Sequence, residues 1–301
     1  MILNTPFTDW LDVTYAPDDV PEPELRVFLL GLGFTVDYDN KRKMRYSPPG
    51  ERGLLQLHEA ARFGRISASG AICSWLQRHG HWSDFLAILS SCPHKVTRID
   101  VAMDVLADGA DVIASLQTRY PDGYVSLGRK ASKVTQMLKQ RDSDNRFTGT
   151  YYVGYRSSAR ATARVYDKRF ERLENAGTDI GMDVTRYEVT ARKDYGVTLR
   201  DAYEPASLFW HIASPALILT KPKGVDMWVS HGDFVGWHHQ PKLRTAYEVL
   251  CDRVEWSAEL EALIALADDV SPDGRNLLAR LFMQRLGLDA TGEALPALVG
   301  S

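Results

Sequence analysis

Apolar and polar residues alternate with a period of two in three segments near the middle of the chain: Arg98–Val105, Ala161–Lys168 and Val184–Arg192. This alternation is typical of β-strands that bury one face and keep the other face polar. A fourth segment, Thr150–Arg156, is rich in aromatic residues and also favours a strand. The pattern therefore predicts at least four strands in this part of the chain.

Apolar residues at helical spacing surround these strands. They predict helices over 21–31, 69–91 with a break at 79–81, 110–119, 168–176, 200–212, 241–266 and 274–286. Strands joined by hairpins and long helical connections are typical of an α+β fold, so we expect a central, largely antiparallel sheet with packed helices. The predicted domains are residues 1–215, with a core at about 95–195, and a mainly helical C-terminal region, 216–301.

The polar positions of the three alternating strands fall on one face if the strands are neighbours, because successive side chains point to opposite faces. This face would carry Arg98, Asp100, Asp104, Arg164, Tyr166, Lys168, Arg186, Glu188 and Arg192. We expect the face to be open to solvent, because the opposite, apolar face packs against helices.

Such a face has two explanations. Carboxylates on rigid strands can bind Mg²⁺ or Mn²⁺, and a tyrosine can act as a covalent nucleophile. Arg164, Lys168 and a bound cation would then favour the phenolate of Tyr166. The ordinary explanation is that the acids pair with arginines and that the tyrosine packs in the sheet.

Charge is distributed unevenly behind a net charge of −3. Residues 129–172 hold twelve Lys and Arg against four Asp and Glu, whereas residues 1–28 and 245–301 are acidic. A basic block between acidic ends suggests a local site for a polyanion, although on charge alone a solvated charged surface is the more ordinary explanation. The cations that we expect to contact phosphates are Arg129, Lys130, Lys133, Arg156, Arg160 and Arg186.

Composition excludes several classes of protein. With 45% hydrophobic residues the chain can build a core, and its apolar runs are shorter than the ~20 residues of a membrane span. The N-terminus has no signal-peptide pattern, so we expect a cytoplasmic protein. No GxxxxGK[ST] motif is present, which argues against ATP-driven unwinding by this chain.

Three segments taken together resemble one family. They are Arg98–Asp104, then Tyr151–Ser158 leading to Arg164–Lys168, and finally Arg186–Thr190. In order and spacing they resemble the replication initiation factors of rolling-circle plasmids and filamentous phages, the Rep_trans type. The resemblance covers residues 95–195 clearly and 50–215 loosely.

This resemblance implies a fold distantly related to the HUH endonucleases and a metal-dependent enzyme that nicks and closes DNA. Tyr166 would be the nucleophile, with Arg164 and Lys168 beside it. The implied ligands of a divalent cation, Mg²⁺ or Mn²⁺, are Asp100, Asp104 and Glu188.

The implied partners are origin DNA, single-stranded or extruded as a hairpin, and the host helicase and polymerase. A homodimer is a further expectation, and no membrane is involved. The alternative is a non-catalytic phage or plasmid regulator that binds DNA with the same fold. The simultaneous presence of the tyrosine and all three acids favours the enzyme, because a protein that only binds DNA needs none of them.

Overall fold

A computed structural model describes residues 4–39, 43–60, 63–119, 133–141, 144–154, 160–217 and 219–230, and the structural statements that follow concern these residues. They all belong to one compact unit that extends from Met1 to His238. The helices predicted over 241–266 and 274–286 lie outside the described residues, as do Arg129, Lys130 and Arg156.

Ten strands form a single sheet in which every neighbouring pair is antiparallel. Their bounds are β1 Phe7–Tyr15, β2 Thr35–Asp39, β3 Lys43–Ser47, β4 Leu55–Ala60, β5 Phe63–Ala68, β6 His94–Leu106, β7 Val134–Gln140, β8 Phe147–Val153, β9 Ala161–Asp167 and β10 Val184–Arg192. The spatial order is β2-β3-β4-β5-β1-β6-β10-β9-β8-β7. The predicted antiparallel α+β sheet is thus confirmed.

Seven α-helices accompany the sheet. They are α1 Glu22–Gly31, α2 Gly70–Arg78, α3 Trp82–Ser90, α4 Gly109–Arg119, α5 Lys168–Ala176, α6 Leu199–Tyr203 and α7 Ala206–Leu217. The single helix predicted over 200–212 is two helices, with the break at Glu204 and Pro205. Proline disfavours helical geometry in the residue before it, which explains the break.

The two faces of the sheet differ as the alternation requires. Apolar residues of one parity, such as Val101, Val165 and Val189, are buried in the core. On this side α4 packs against β8 and β9, and α7 packs against β9 and β10. The other face carries the polar positions predicted from the sequence.

Strands β1–β5 and β7 are absent from the sequence prediction, although β1 and β4 also alternate apolar and polar residues. None of the described helices is long and apolar enough to span a membrane. The domain boundary predicted at residue 215 stays a prediction, since most of the region beyond it lies outside the described residues.

Candidate active site

The three alternating strands are neighbours at the centre of the sheet. Their register places Arg186 of β10 between Asp104 of β6 and Tyr166 of β9. In the adjacent row of the same face, Glu188 of β10 lies directly opposite Arg164 of β9. The polar residues picked out by alternation therefore meet on one surface.

Each of the three acids predicted as metal ligands forms an ion pair with an arginine. Arg98 donates from Nε and Nη2 to the two oxygens of Asp100, at 2.9 and 2.5 Å. Arg186 binds Asp104 in the same two-pronged way, at 2.6 and 2.8 Å. Arg164 donates from Nη2 to Oε1 of Glu188 at 2.5 Å.

The expectation that these acids stand open to solvent is wrong. Asp100, Asp104 and Glu188 are each at most 2% exposed, whereas Arg98 and Arg164 keep about a third of their side chains exposed. A carboxylate buried without a partner would be costly, and the guanidinium groups both cover and neutralise the acids. The outer surface of the site is therefore basic.

Asp9 is a fourth acid of the cluster, and the alternation of the sequence does not predict it. Its Oδ1 accepts a hydrogen bond from Nη1 of Arg186 at 3.0 Å. The register between β1 and β6 shifts between Thr8 and Trp10, so Asp9 is the extra residue of a bulge. A bulge redirects a side chain that regular alternation would place on the apolar face, which is why simple periodicity misses Asp9.

Tyr166 lies at the middle of the cluster. Its hydroxyl donates to Oε2 of Glu188 across 3.4 Å, and Arg164 and Lys168 lie 5.2 and 5.5 Å from the centre of its ring. Burial raises the pKa of Tyr166 well above its usual range, and Glu188 raises it further. Arg186 and Arg164 lower this pKa, the direction expected for Arg164, but they do not reverse the effect of burial.

Two further groups near the phenol have shifted proton affinities. Burial raises the pKa of Glu188 to about 7. The positive charge of Arg164 lowers this pKa, and the negative charges of Asp100 and Asp9 raise it. Burial lowers the pKa of Lys168, and the positive charge of Arg186 lowers it further. Glu188 is thus poised to accept a proton near neutral pH, and Lys168 to give one up more easily than usual.

The donor set does not fit a metal ion in this arrangement. A divalent cation needs several oxygen ligands converging on one point, whereas each predicted ligand is held by a guanidinium group. Within the described part of the chain, no group of three or more His, Cys, Asp and Glu side chains could hold a metal. A cation would have to displace Arg164 or Arg98 first.

A network of side chains fixes the end of the strand that carries Tyr166. Asp167 caps α5 by accepting from the backbone N–H of Phe170 at 2.9 Å, and it also accepts from Thr148 and Arg141, at 2.9 and 3.4 Å. Gly109 leaves room for it, since a Cβ there would lie 2.4 Å from the Cβ of Asp167. These contacts fix the turn from β9 into α5 and thereby the positions of Tyr166, at the end of the strand, and Lys168, at the start of the helix.

Acidic residues outside the basic block, residues 129–172, neutralise part of its charge. Arg146 pairs with Asp108 and Asp111, and Arg169 pairs with Asp179 and Asp183. Of the predicted phosphate contacts, Lys133 and Arg160 are exposed but outside the cluster, and Arg186 is within it.

Comparisons with known proteins agree with the sequence resemblance. A family described as replication initiation factors, Rep_trans, matches residues 94–202, the segment that holds β6, β9 and β10. No curated protein matches the chain.

A solved structure of similar fold is the rolling circle replication initiator protein from Geobacillus stearothermophilus. It aligns with a TM-score of 0.52 and 22% identity over 70% of this chain and 85% of that one. At this identity the similarity concerns the fold, and it extends well beyond the segment matched by the family.

Proposed function

We propose that this chain initiates rolling-circle replication by nicking and rejoining single-stranded origin DNA through a covalent bond to Tyr166. The observation that carries the proposal is the hydroxyl of Tyr166 beside the carboxylate of Glu188, ringed by Arg164, Lys168 and Arg186. All of these residues lie in the segment matched by the replication initiation factors. The family match and the fold of the initiator both support replication initiation.

The chemistry is a transesterification. The phenolic oxygen of Tyr166 attacks the phosphorus, its proton passes to Glu188, and the bond from phosphorus to the 3′-oxygen breaks. The departing oxygen takes a proton and becomes a 3′-hydroxyl, and Lys168, whose pKa is lowered by burial, can donate that proton. The 5′-phosphate stays on Tyr166, and the reverse reaction reseals the strand without ATP.

The cations bind and orient the phosphate. Arg164 is the most exposed of the three beside Tyr166, so an incoming phosphate meets it first and competes with Glu188 for its guanidinium. This exchange would free Glu188 to accept the proton. Charge that develops on the phosphate oxygens is then stabilised by arginine groups in a partly dehydrated site.

The metal requirement and its ligands, Asp100, Asp104 and Glu188, stay predictions from the resemblance. The arginine-paired arrangement does not fit them, because each of these carboxylates is already bound by a guanidinium group. The cytoplasmic location, the host helicase and polymerase, and a homodimer are likewise parts of the proposal that follow from rolling-circle replication.

The proposal is tested by incubating the full chain with labelled single-stranded origin DNA and Mg²⁺ or Mn²⁺, followed by denaturing electrophoresis. A protein–DNA adduct that survives denaturation, together with a free 3′-end, supports the enzyme. Tight binding to the origin with neither product would support the non-catalytic regulator instead.

A further inference from the structure

The polar face continues beyond the catalytic cluster onto the strands that precede the matched segment. The register aligns Lys43 of β3, His58 of β4, Arg65 of β5, Thr14 of β1 and Lys95 of β6 at successive opposite positions. Residues directly opposite on adjacent strands share a face, so these five form one line across five strands. We call this line the basic row.

A second line lies beside it on the same face. It consists of Arg45, Gln56, Ser67, Asp12 and Arg98, and Arg192 of β10 continues it toward the catalytic cluster. Among the positions of both lines, all in described strands, Asp12 is the only carboxylate. Beyond these positions, both lines end in an acid on the edge strand β2, where Asp37 lies directly opposite Arg45 and Asp39 directly opposite Lys43.

The basic row is open to solvent, unlike the other face of the same strands. Lys43, Arg65 and Lys95 are half-buried, with their stems against the sheet and part of each side chain accessible. Residues of opposite parity, such as Leu57 and Ile66, are fully buried in the core. The strands therefore present their cations on the outer surface.

Positive charge is concentrated on this surface. Burial lowers the pKa of His58, and the charges of Lys43 and Arg65 lower it further. Burial also lowers the pKa of Lys95, with a contribution from Lys193 that Asp194 partly offsets. Lys43 and Arg65 therefore lie close enough to His58 to oppose its protonation, and their own charges create a potential suited to an anion.

An aromatic ring accompanies the cations. Phe63 lies on the same face of β5 as Arg65, two residues away, and packs edge-on against the ring of His58 at 6.0 Å between centroids. It is half-buried and so reachable by a ligand. Surfaces that combine cations with accessible aromatic rings are typical of single-stranded nucleic-acid binding, because every base can stack.

We infer that the basic row, with Phe63, binds the phosphates and bases of the single strand whose cleavage point lies at Tyr166. The row is nine residues along β6 from Asp104, about 30 Å, and three residues from Arg98, which pairs with Asp100. It therefore adjoins the catalytic cluster at Arg98 and extends away from it toward β3. Lys43, His58 and Arg65 also precede the matched segment, which begins at residue 94. The inference rests on the proposed function only for the identity of the bound DNA strand, because binding of DNA to the row requires no cleavage.

The test measures the affinity of the full chain for a labelled oligonucleotide of about 16 thymidines across a salt series. Replacing Lys43, Arg65 and Lys95 together by Gln should weaken binding at least tenfold at moderate salt. The slope of log affinity against log salt should become shallower by about 2, because each lost phosphate contact removes about 0.7. The reverse variant, Thr14→Lys, places a cation between Arg65 and Lys95 and should tighten binding.

A matched control removes the same charge elsewhere. Arg26, Arg78 and Arg119 lie on helices α1, α2 and α4, and their joint replacement by Gln should leave the salt slope within error of wild type. An equal loss in the control would mean that overall charge alone drives binding, and this would overturn the inference. The inference would also be overturned by an unchanged salt slope in the triple variant of Lys43, Arg65 and Lys95, or by unchanged affinity in Thr14→Lys.

Phe63→Leu separates single strands from duplexes. It should lower affinity for the thymidine oligonucleotide severalfold, without changing the salt slope or the affinity for a duplex. Equal losses on both DNAs would refute single-strand recognition. Failure of the proposed function looks different, since a chain that forms no adduct can still show all of these binding effects.

Discussion

Arg186 holds two carboxylates at once, Asp104 through two hydrogen bonds and Asp9 through a third. Arg98 and Arg164 each hold one, and the phenol of Tyr166 lies among these pairs. Since burial raises the pKa of the phenol, the cations alone do not ionise it. The residue that can take its proton is Glu188, whose hydrogen bond to it is already formed.

The pH dependence of nicking follows from that role. Burial raises the pKa of Glu188 to about 7, and only the ionised carboxylate can accept a proton. Below this pH the rate of adduct formation should rise about tenfold per pH unit, and above it the rate should level off. Rates measured from pH 5 to 9 check this.

Glu188→Gln is the matched variant for the pH profile. It keeps the shape of the side chain and cannot accept the proton, so it should lose most activity and the rise near pH 7. An unchanged profile in this variant would assign the titration to another group.

The turn from β9 into α5 is the element that orients the cluster. Asp167→Ala removes the helix cap and leaves the buried hydroxyl of Thr148 without its acceptor, which should cost about 2–4 kcal/mol of folding free energy. Asp167→Asn keeps Oδ1 as the acceptor for the backbone N–H of Phe170, and its amide N–H can donate to the hydroxyl of Thr148 instead, so it should cost less than the alanine variant. Urea unfolding of the three proteins measures the difference, and equal losses for Ala and Asn would contradict the capping role.

The elements show how far the sequence alone leads. Residues 184–192 alternate regularly and form β10 within those bounds, because both neighbours of this strand are long and its apolar face is buried. Alternation also identifies the face on which Tyr166, Glu188 and Asp104 meet. It does not reveal that arginines cover the acids, since pairing depends on side-chain reach across strands, nor does it place Asp9, which depends on a bulge.

At the scale of the whole molecule, the described residues form a sheet of ten strands, and the matched segment supplies only part of it. Strands β1–β5 extend the polar face and bring Asp9 to the cluster, so the N-terminal residues complete the site. The segment after α7 packs against the same unit through Trp228. Its Nε1 donates to Asp201 at 2.7 Å, and its ring stacks on Tyr195.

This last contact predicts the result of truncation. A chain ending at residue 238 keeps Trp228 and should unfold at nearly the temperature of the full unit. A chain ending at residue 215 loses Trp228 and the buried end of α7, which should cost about 3–5 kcal/mol for the tryptophan alone. Calorimetry of the two truncations compares them, and equal stability would show that Trp228 contributes nothing to the unit.

The most direct test of the account is the site of covalent attachment on the full chain. Wild type, Tyr166→Phe and Tyr152→Phe are incubated with labelled single-stranded origin DNA, and adducts are digested and mapped by mass spectrometry. Tyr152 lies on the same face of the adjacent strand, opposite Arg164, and so is a matched control. We predict a 5′-phosphotyrosine at residue 166, no adduct from Tyr166→Phe despite DNA affinity within about twofold of wild type, and a normal adduct from Tyr152→Phe. An adduct that persists in Tyr166→Phe would contradict the account.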